Sequence, residues 1–119
     1  MKENDVDNWE KRLVEDYPDL FKGPFSFECG PGWADLIREM CRRTDLILDE
    51  EWREVFAWSQ VKSKWGSLHA YNNGPAEVDE VVDWAESVSL QTCERCGQAG
   101  HVRKTGWITV LCDEHAKAG

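Results

Sequence analysis

The stretch TCERCGQAGHVRKTGWITVLCDEH, residues 92–115, decides how this chain is read. Cys93 and Cys96 stand two residues apart, and Cys112 and His115 repeat that gap after an interval of 15 residues. Two such pairs have the spacing of a tetrahedral Cys3His zinc site. A two-residue gap lets one tight turn aim both donors at a single cation. Gly97, next in the chain, supplies the positive φ such a turn needs. Residues 101–111, HVRKTGWITVL, read as a hairpin turning near Thr105-Gly106, which carries the second pair back beside the first. Residues 112–118 are expected to add one helical turn, so the tail predicts a treble-clef-like or ribbon-like knuckle.

Three other readings compete. Structural disulfides are not expected, because MKENDVDNWEKR places no apolar segment behind a basic start and so is no export signal. A redox C-x-x-C has no use for Cys112 and His115 and lacks its strand-to-helix setting. Chance spacing does not account for two matched pairs. With four good ligands present, no position is left open for water or substrate. A base deaminase needs His-x-Glu upstream of Pro-Cys-x-x-Cys, whereas Gln91-Thr92 precedes Cys93 and no His-x-Glu occurs. The expected cofactor is therefore one structural zinc on Cys93, Cys96, Cys112 and His115.

Outward from the tail, hydrophobic periodicity marks the rest. Val6, Trp9 and Leu13 share one side of a helix expected over Asp5–Asp16, and Pro18 limits its extension. Tyr17–Gly32, with Leu20, Phe21, Phe25 and Phe27, reads as a packed irregular stretch. Trp33, Leu36, Ile37, Met40 and Cys41 trace a buried helical stripe behind Gly30-Pro31, and Arg42 and Arg43 suit that helix's negative end. From Glu54 to Asn72 the aromatic and β-branched residues favour strands, with Gly66-Ser67 as a turn or bulge. Asn72-Asn-Gly-Pro75 then opens a third helix with Val78, Val81, Val82, Ala85 and Val88 on its apolar face. The expectation is one α+β domain over residues 1–119. Its body, 1–90, packs three helices on a small antiparallel sheet, and the zinc knuckle occupies 91–119.

Charge restricts the partners. The chain of 119 residues holds 14 basic and 23 acidic side chains, a formal charge of −9, which argues against a surface that embraces phosphate everywhere. No apolar run approaches the ~20 residues that cross a bilayer, so no membrane partner and a cytoplasmic location are expected. The acidity is uneven. Residues 76–90 hold Glu77, Asp79, Glu80, Asp83 and Glu86 against no base, while residues 55–75 carry only Lys62 and Lys64. The acidic helices could imitate phosphate and occupy a basic groove on another protein. Alternatively, Lys62, Lys64 and His69, with Arg95, His101, Arg103 and Lys104 of the knuckle, form one positive face. Trp58, Trp65, Tyr71 or Trp107 would then stack bases. A third alternative is an enzyme in which Cys29, before a helix, is a nucleophile with His69 as base. Cys41 belongs to the core.

The chain resembles a family of small, largely uncharacterised bacteriophage and prophage proteins. The resemblance is carried by Cys29-Gly-Pro-Gly-Trp33-Ala-Asp-Leu-Ile37, Val61–Tyr71, Glu86-Ser87, Thr92–Gly97, Gly106-Trp107 and Leu111-Cys112-Asp113. Similar proteins often have a longer charged run at Lys62-Ser-Lys64, phenylalanine at Trp65 and cysteine at His115. The resemblance implies zinc binding and a phage-type accessory role in the host cytoplasm, including interference with a host defence protein, but no activity. The expected function is thus a non-enzymatic, zinc-stabilised protein that binds a host or phage protein through acidic helices. Nucleic-acid binding by the hairpin and knuckle is the alternative.

Overall fold

A computed structural model describes residues 8–104 and 106–118. Val6 and the expected helix start at Asp5 lie outside the described residues, as does Thr105. Helix α1 (Trp9–Asp16) turns Trp9 and Leu13 into the core, and a 3-10 turn at Pro18–Leu20 follows. Strand β1 (Ser26–Glu28) leads to a second 3-10 turn, Pro31–Trp33, and then to α2 (Ala34–Ile47). A short α3 (Glu50–Val55) precedes strands β2 (Trp58–Lys64) and β3 (Ser67–Asn72). Helix α4 (Ala76–Ser89), strands β4 (His101–Arg103) and β5 (Thr109–Leu111), and helix α5 (Asp113–Ala118) complete the order.

The protein is α+β as expected, but the body differs from three helices on an antiparallel sheet. Five helices stand among the described residues, and the larger sheet is mixed: β1 runs parallel to β2, and β2 antiparallel to β3. A parallel pair needs a long crossover, which α2 and α3 provide. Strand β1 contributes only three residues, too short a run for alternation to mark it within the aromatic stretch. Helix α3 replaces the beginning of the expected strand region. Asp49 caps it by accepting a 2.8 Å bond from the Trp52 amide, and Glu50 and Glu51 fill its first turn.

Helix α2 also runs further than its apolar stripe, ending at Ile47. Arg42 and Arg43 therefore sit inside it, not at its end. Both bond Glu39 (2.6–2.9 Å), and Arg43 lies 3.7 Å from the Trp84 ring on α4. The Arg42 and Arg43 hydrogen bonds hold the Glu39 carboxyl down at about 2.

The core gathers one side of α1, α2, β2, β3 and α4, with Trp33, Ile37, Met40, Phe56, Trp58, Val61, Leu68 and Val78 fully buried, while α3 buries none of its residues. Strand alternation sends Val61, Leu68 and Ala70 inward. Gln60, Lys62 and Lys64 face away from it. The β2–β3 apex is Trp65-Gly66, one residue before the expected Gly66-Ser67. Lys64 pairs with Ser67, and φ is positive at both turn residues (56° and 88°), the signature of a type I′ turn. No helix among the described residues is long and apolar enough to cross a membrane.

Candidate metal centre

The turn after α4 builds the first half of the site. The Gly97 amide donates to the Cys93 carbonyl (2.9 Å), and the Cys93 amide donates to the Gln98 carbonyl (2.7 Å). This closes the loop that presents Cys93 and Cys96, with Gly97 at φ 84° as its sequence position required. Strands β4 and β5 pair over three residues, His101↔Leu111 to Arg103↔Thr109, and return the chain to the knuckle. The Glu94 amide donates to the Val110 carbonyl (2.9 Å), which ties the two halves together. Cys112 ends the hairpin, and His115 follows on the first turn of α5.

The four donor atoms lie within 4.8 Å of one another. Cys96 Sγ is 3.8 Å from Cys112 Sγ, and His115 Nδ1 is 3.3 Å from Cys112 Sγ and 3.5 Å from Cys93 Sγ. Sulfurs each ~2.3 Å from a tetrahedral ion stand ~3.8 Å apart, so these three separations are of the size that a shared tetrahedral ion would set. They are far too long for a disulfide, and all five cysteines are free. Burial alone would raise the Cys93 thiol, but the amides of Cys112, Cys96 and Arg95 and the His115 ring bring it down to about 6. At Cys96 the Gln98 amide lowers the thiol, and desolvation with the neighbouring Cys93 and Cys112 sulfurs outweighs it. Crowded sulfur donors with amides aimed at them are what a cation resolves. These four residues could bind one metal ion.

The knuckle is clamped to the body by a segment the sequence marked only as a helix start. The Gly32 amide donates to the Glu94 carbonyl (2.7 Å), the Gly30 amide to Glu94 Oε2 (2.8 Å), and the Trp33 indole N–H to the Thr92 carbonyl (2.9 Å). A Cβ on Gly32 would lie 2.2 Å from the Cys93 carbonyl oxygen, so only glycine lets the two backbones approach this closely. Cys29-Gly-Pro-Gly-Trp33 is thus a cradle for the metal turn. Its twin glycines, two residues apart beside a tryptophan, were the available signal. Their partner, 64 residues away, was not.

The other candidate residues separate into groups. Cys29 is pushed up to about 12 by burial, then by Glu94 and Glu10, the reverse of an activated nucleophile. His69 bonds the Ser67 hydroxyl (3.1 Å). Cys41 is fully buried, as expected. On α4, Glu77, Asp79, Glu80 and Asp83 are exposed and Glu86 half-buried, and none has an ion pair among the described residues. Of the positive set, Arg103 is occupied: its guanidinium holds the Leu111 carbonyl (3.0 and 3.2 Å) and Asp113 (2.9 Å). Lys64, Arg95, His101 and Lys104 are exposed, and Lys62 is half-buried. The tryptophans divide as well. Trp58 is fully buried and cannot stack a base, whereas Trp65 and Trp107 are 75% and 85% exposed.

No family model, curated protein or solved structure matches this chain.

Proposed function

We propose that this protein is a non-enzymatic binding protein whose C-terminal knuckle is held by one structural zinc ion. The observation that carries this reading is the donor set: three sulfurs and one imidazole nitrogen within 4.8 Å of one another among the described residues, the four ligands that fill a tetrahedral site. Three soft thiolates and one imidazole favour zinc over calcium or magnesium, which prefer oxygen. The order of metal turn, hairpin and ligand-bearing helix is similar to a treble clef. The Cys29 thiol, held protonated by burial, supports the non-enzymatic part.

The partner is a macromolecule, and the face that meets it is the pair of hairpin tips. An exposed indole forgoes a large apolar burial, and aromatic anchors are what binding surfaces use. Helix α4 offers carboxylates without such an anchor, since Val82, Trp84 and Val88 pack against the core. Unpaired acidic side chains support a second reading, in which α4 occupies a basic groove on a host protein. In that case reversing Glu77, Glu80 and Asp83 to lysine abolishes partner capture, and changing Trp65 and Trp107 does not. The phage-type setting follows from the sequence resemblance.

Metal analysis of the purified chain by native mass spectrometry tests the proposal. One zinc per chain is expected, with only Cys29 and Cys41 left to react with thiol reagents once the protein is unfolded with metal retained on the knuckle. A folded protein with no bound metal overturns it.

A further inference from the structure

Trp65 is costly where it stands. It occupies the left-handed region at φ 56°, which bulky side chains rarely adopt, and it is 75% exposed. A type I′ turn takes asparagine or glycine there without strain, so neither turn chemistry nor packing accounts for an indole. Strain of this kind gathers at functional positions. Trp107, in the loop between β4 and β5, is exposed further still. The tips touch: a Cβ on Gly66 would sit 3.0 Å from Ile108 Cγ2. Both indoles line one cleft of about 360 Å³ with Lys62 and Lys64. Among the described residues, neither indole stacks on another ring or guanidinium.

Trp107 also walls a wider groove of about 1280 Å³ that continues past Lys104 and Arg95. That exceeds the ~300–1,000 Å³ of small-molecule pockets and suits a chain laid along the surface. Lys62, Lys64 and Lys104 have no ion pair among the described residues. Lysine is depleted at protein–protein interfaces and abundant where phosphate is bound. Two carboxylates also line this groove, Glu28 accepting from Gln60 (3.0 Å) and Glu94 from the Gly30 amide (2.8 Å), so the cationic part of the surface is the stretch at Lys62, Lys64 and Lys104.

Much of the net charge of −9 sits away from this face. Helix α4 starts where β3 ends, at the strand end away from the Trp65-Gly66 apex. Glu77, Asp79 and Glu80, in its first half, therefore start ~15–20 Å from the apex along a six-residue strand, beyond the ~10 Å screening length at 0.1 M salt. The helix then returns, so that Ser89 meets Leu68 (2.9 Å) and the half-buried Glu86 is its acidic residue nearest the apex end.

From this juxtaposition we infer that the two hairpin tips bind single-stranded nucleic acid, its bases stacking on Trp65 and Trp107 and its phosphates meeting Lys62, Lys64 and Lys104. Exposed rings flanked by cations recognise unpaired bases without sequence preference, because every base has a π face. A duplex hides those faces. The inference rests on the zinc reading, since the metal holds the hairpin that carries Trp107.

The test is fluorescence anisotropy of labelled oligothymidylate and oligouridylate with the zinc-loaded full chain, against a duplex of equal length and heparin. Single strands should bind more tightly than duplex. Trp65→Ala and Trp107→Ala should each weaken binding by at least about fivefold. Both sites are exposed, so circular dichroism and metal content should stay unchanged. Changing Lys62 and Lys64 together to alanine should make the slope of log affinity against log salt shallower by about 1.4. A chain with full zinc that binds no oligonucleotide at low salt overturns the inference and leaves the zinc reading intact. Heparin bound as well as single strands, with no loss in the tryptophan variants, also overturns it. A folded, metal-free chain overturns the zinc reading instead.

Discussion

The two hairpins of this protein reach similar ends by different physics. The β2–β3 hairpin is long, its pairing extending from Trp58↔Asn72 to Lys64↔Ser67, and it is rooted in the core by Val61, Leu68 and Ala70. The β4–β5 hairpin pairs three residues on each strand. Its buried apolar residues, Val110 and Leu111 beside Cys93, stand apart from the main core cluster. So few buried side chains do little to offset the entropy of ordering the tail, which is where the proposed metal and the hydrogen bonds to Gly30, Gly32 and Trp33 would contribute. Each hairpin nevertheless carries an exposed tryptophan at its tip. Hydrophobic burial holds one tip in place, and the other stands on a knuckle whose four donor residues could bind one metal ion.

The largest effect should come from removing the metal. Structural zinc contributes on the order of 10–16 kcal/mol of apparent binding energy in small finger peptides. Chelation should therefore release the amides of residues 93–111 to rapid hydrogen exchange while those of β2 and β3 stay protected. Loss of protection in both hairpins together would show that the metal supports the body too. The mirror experiment is Leu68→Ala, which empties a fully buried site of β3. It should lower the denaturation free energy by ~2–5 kcal/mol with metal stoichiometry unchanged.

A smaller change sharpens the comparison at the tip itself. Trp65→Asn keeps the type I′ turn and removes the strain of a bulky residue at positive φ. It should raise stability in thermal denaturation by up to ~1 kcal/mol. A loss of stability would show that the indole packs in place. The smallest effect lies far from both hairpins, at Glu39. Arg42 and Arg43 depress its folded pKa to about 2, so its stabilising contribution is present above the unfolded value of ~4.3. That contribution should fade as pH falls from there towards 2. An NMR titration of the Glu39 carboxyl carbon reads the shift, and Glu39→Gln should flatten this part of the stability profile.

How far the fold was legible depended on the range of the interactions. The stripe from Trp33 to Cys41 and the valines of α4 declared their helices because amphipathic periodicity is local. Strand β1 was hidden because three residues carry no usable period and its partner lies more than 30 residues on. Helix α3 was missed although Asp49-Glu-Glu-Trp-Arg53 holds an N-cap, an acidic first turn and a basic last turn. The apolar, β-branched and aromatic residues that follow it from Val55 carry a strand signal that overlaps its last turn. Arg42 and Arg43 looked like a helix end until Glu39 and Trp84 were seen to hold them. In the candidate site, spacing named the four residues that the fold brings together, whereas Trp58, expected as a stacking residue, is core, and Arg103, expected on the positive face, is paired with Asp113.

By itself, the sequence determined the donor set and the class of the fold. A metal demands particular atoms at short local spacing, and helices and strands demand particular periods, so both are written in neighbouring residues. Tertiary structure alone decided which tryptophans are core and which are surface, which cations are already paired, and that Gly30-Pro31-Gly32 cradles the metal turn. Burial and pairing join segments far apart in the chain, as the bond between Gly30 and Glu94 does across 64 residues, and no local pattern records them.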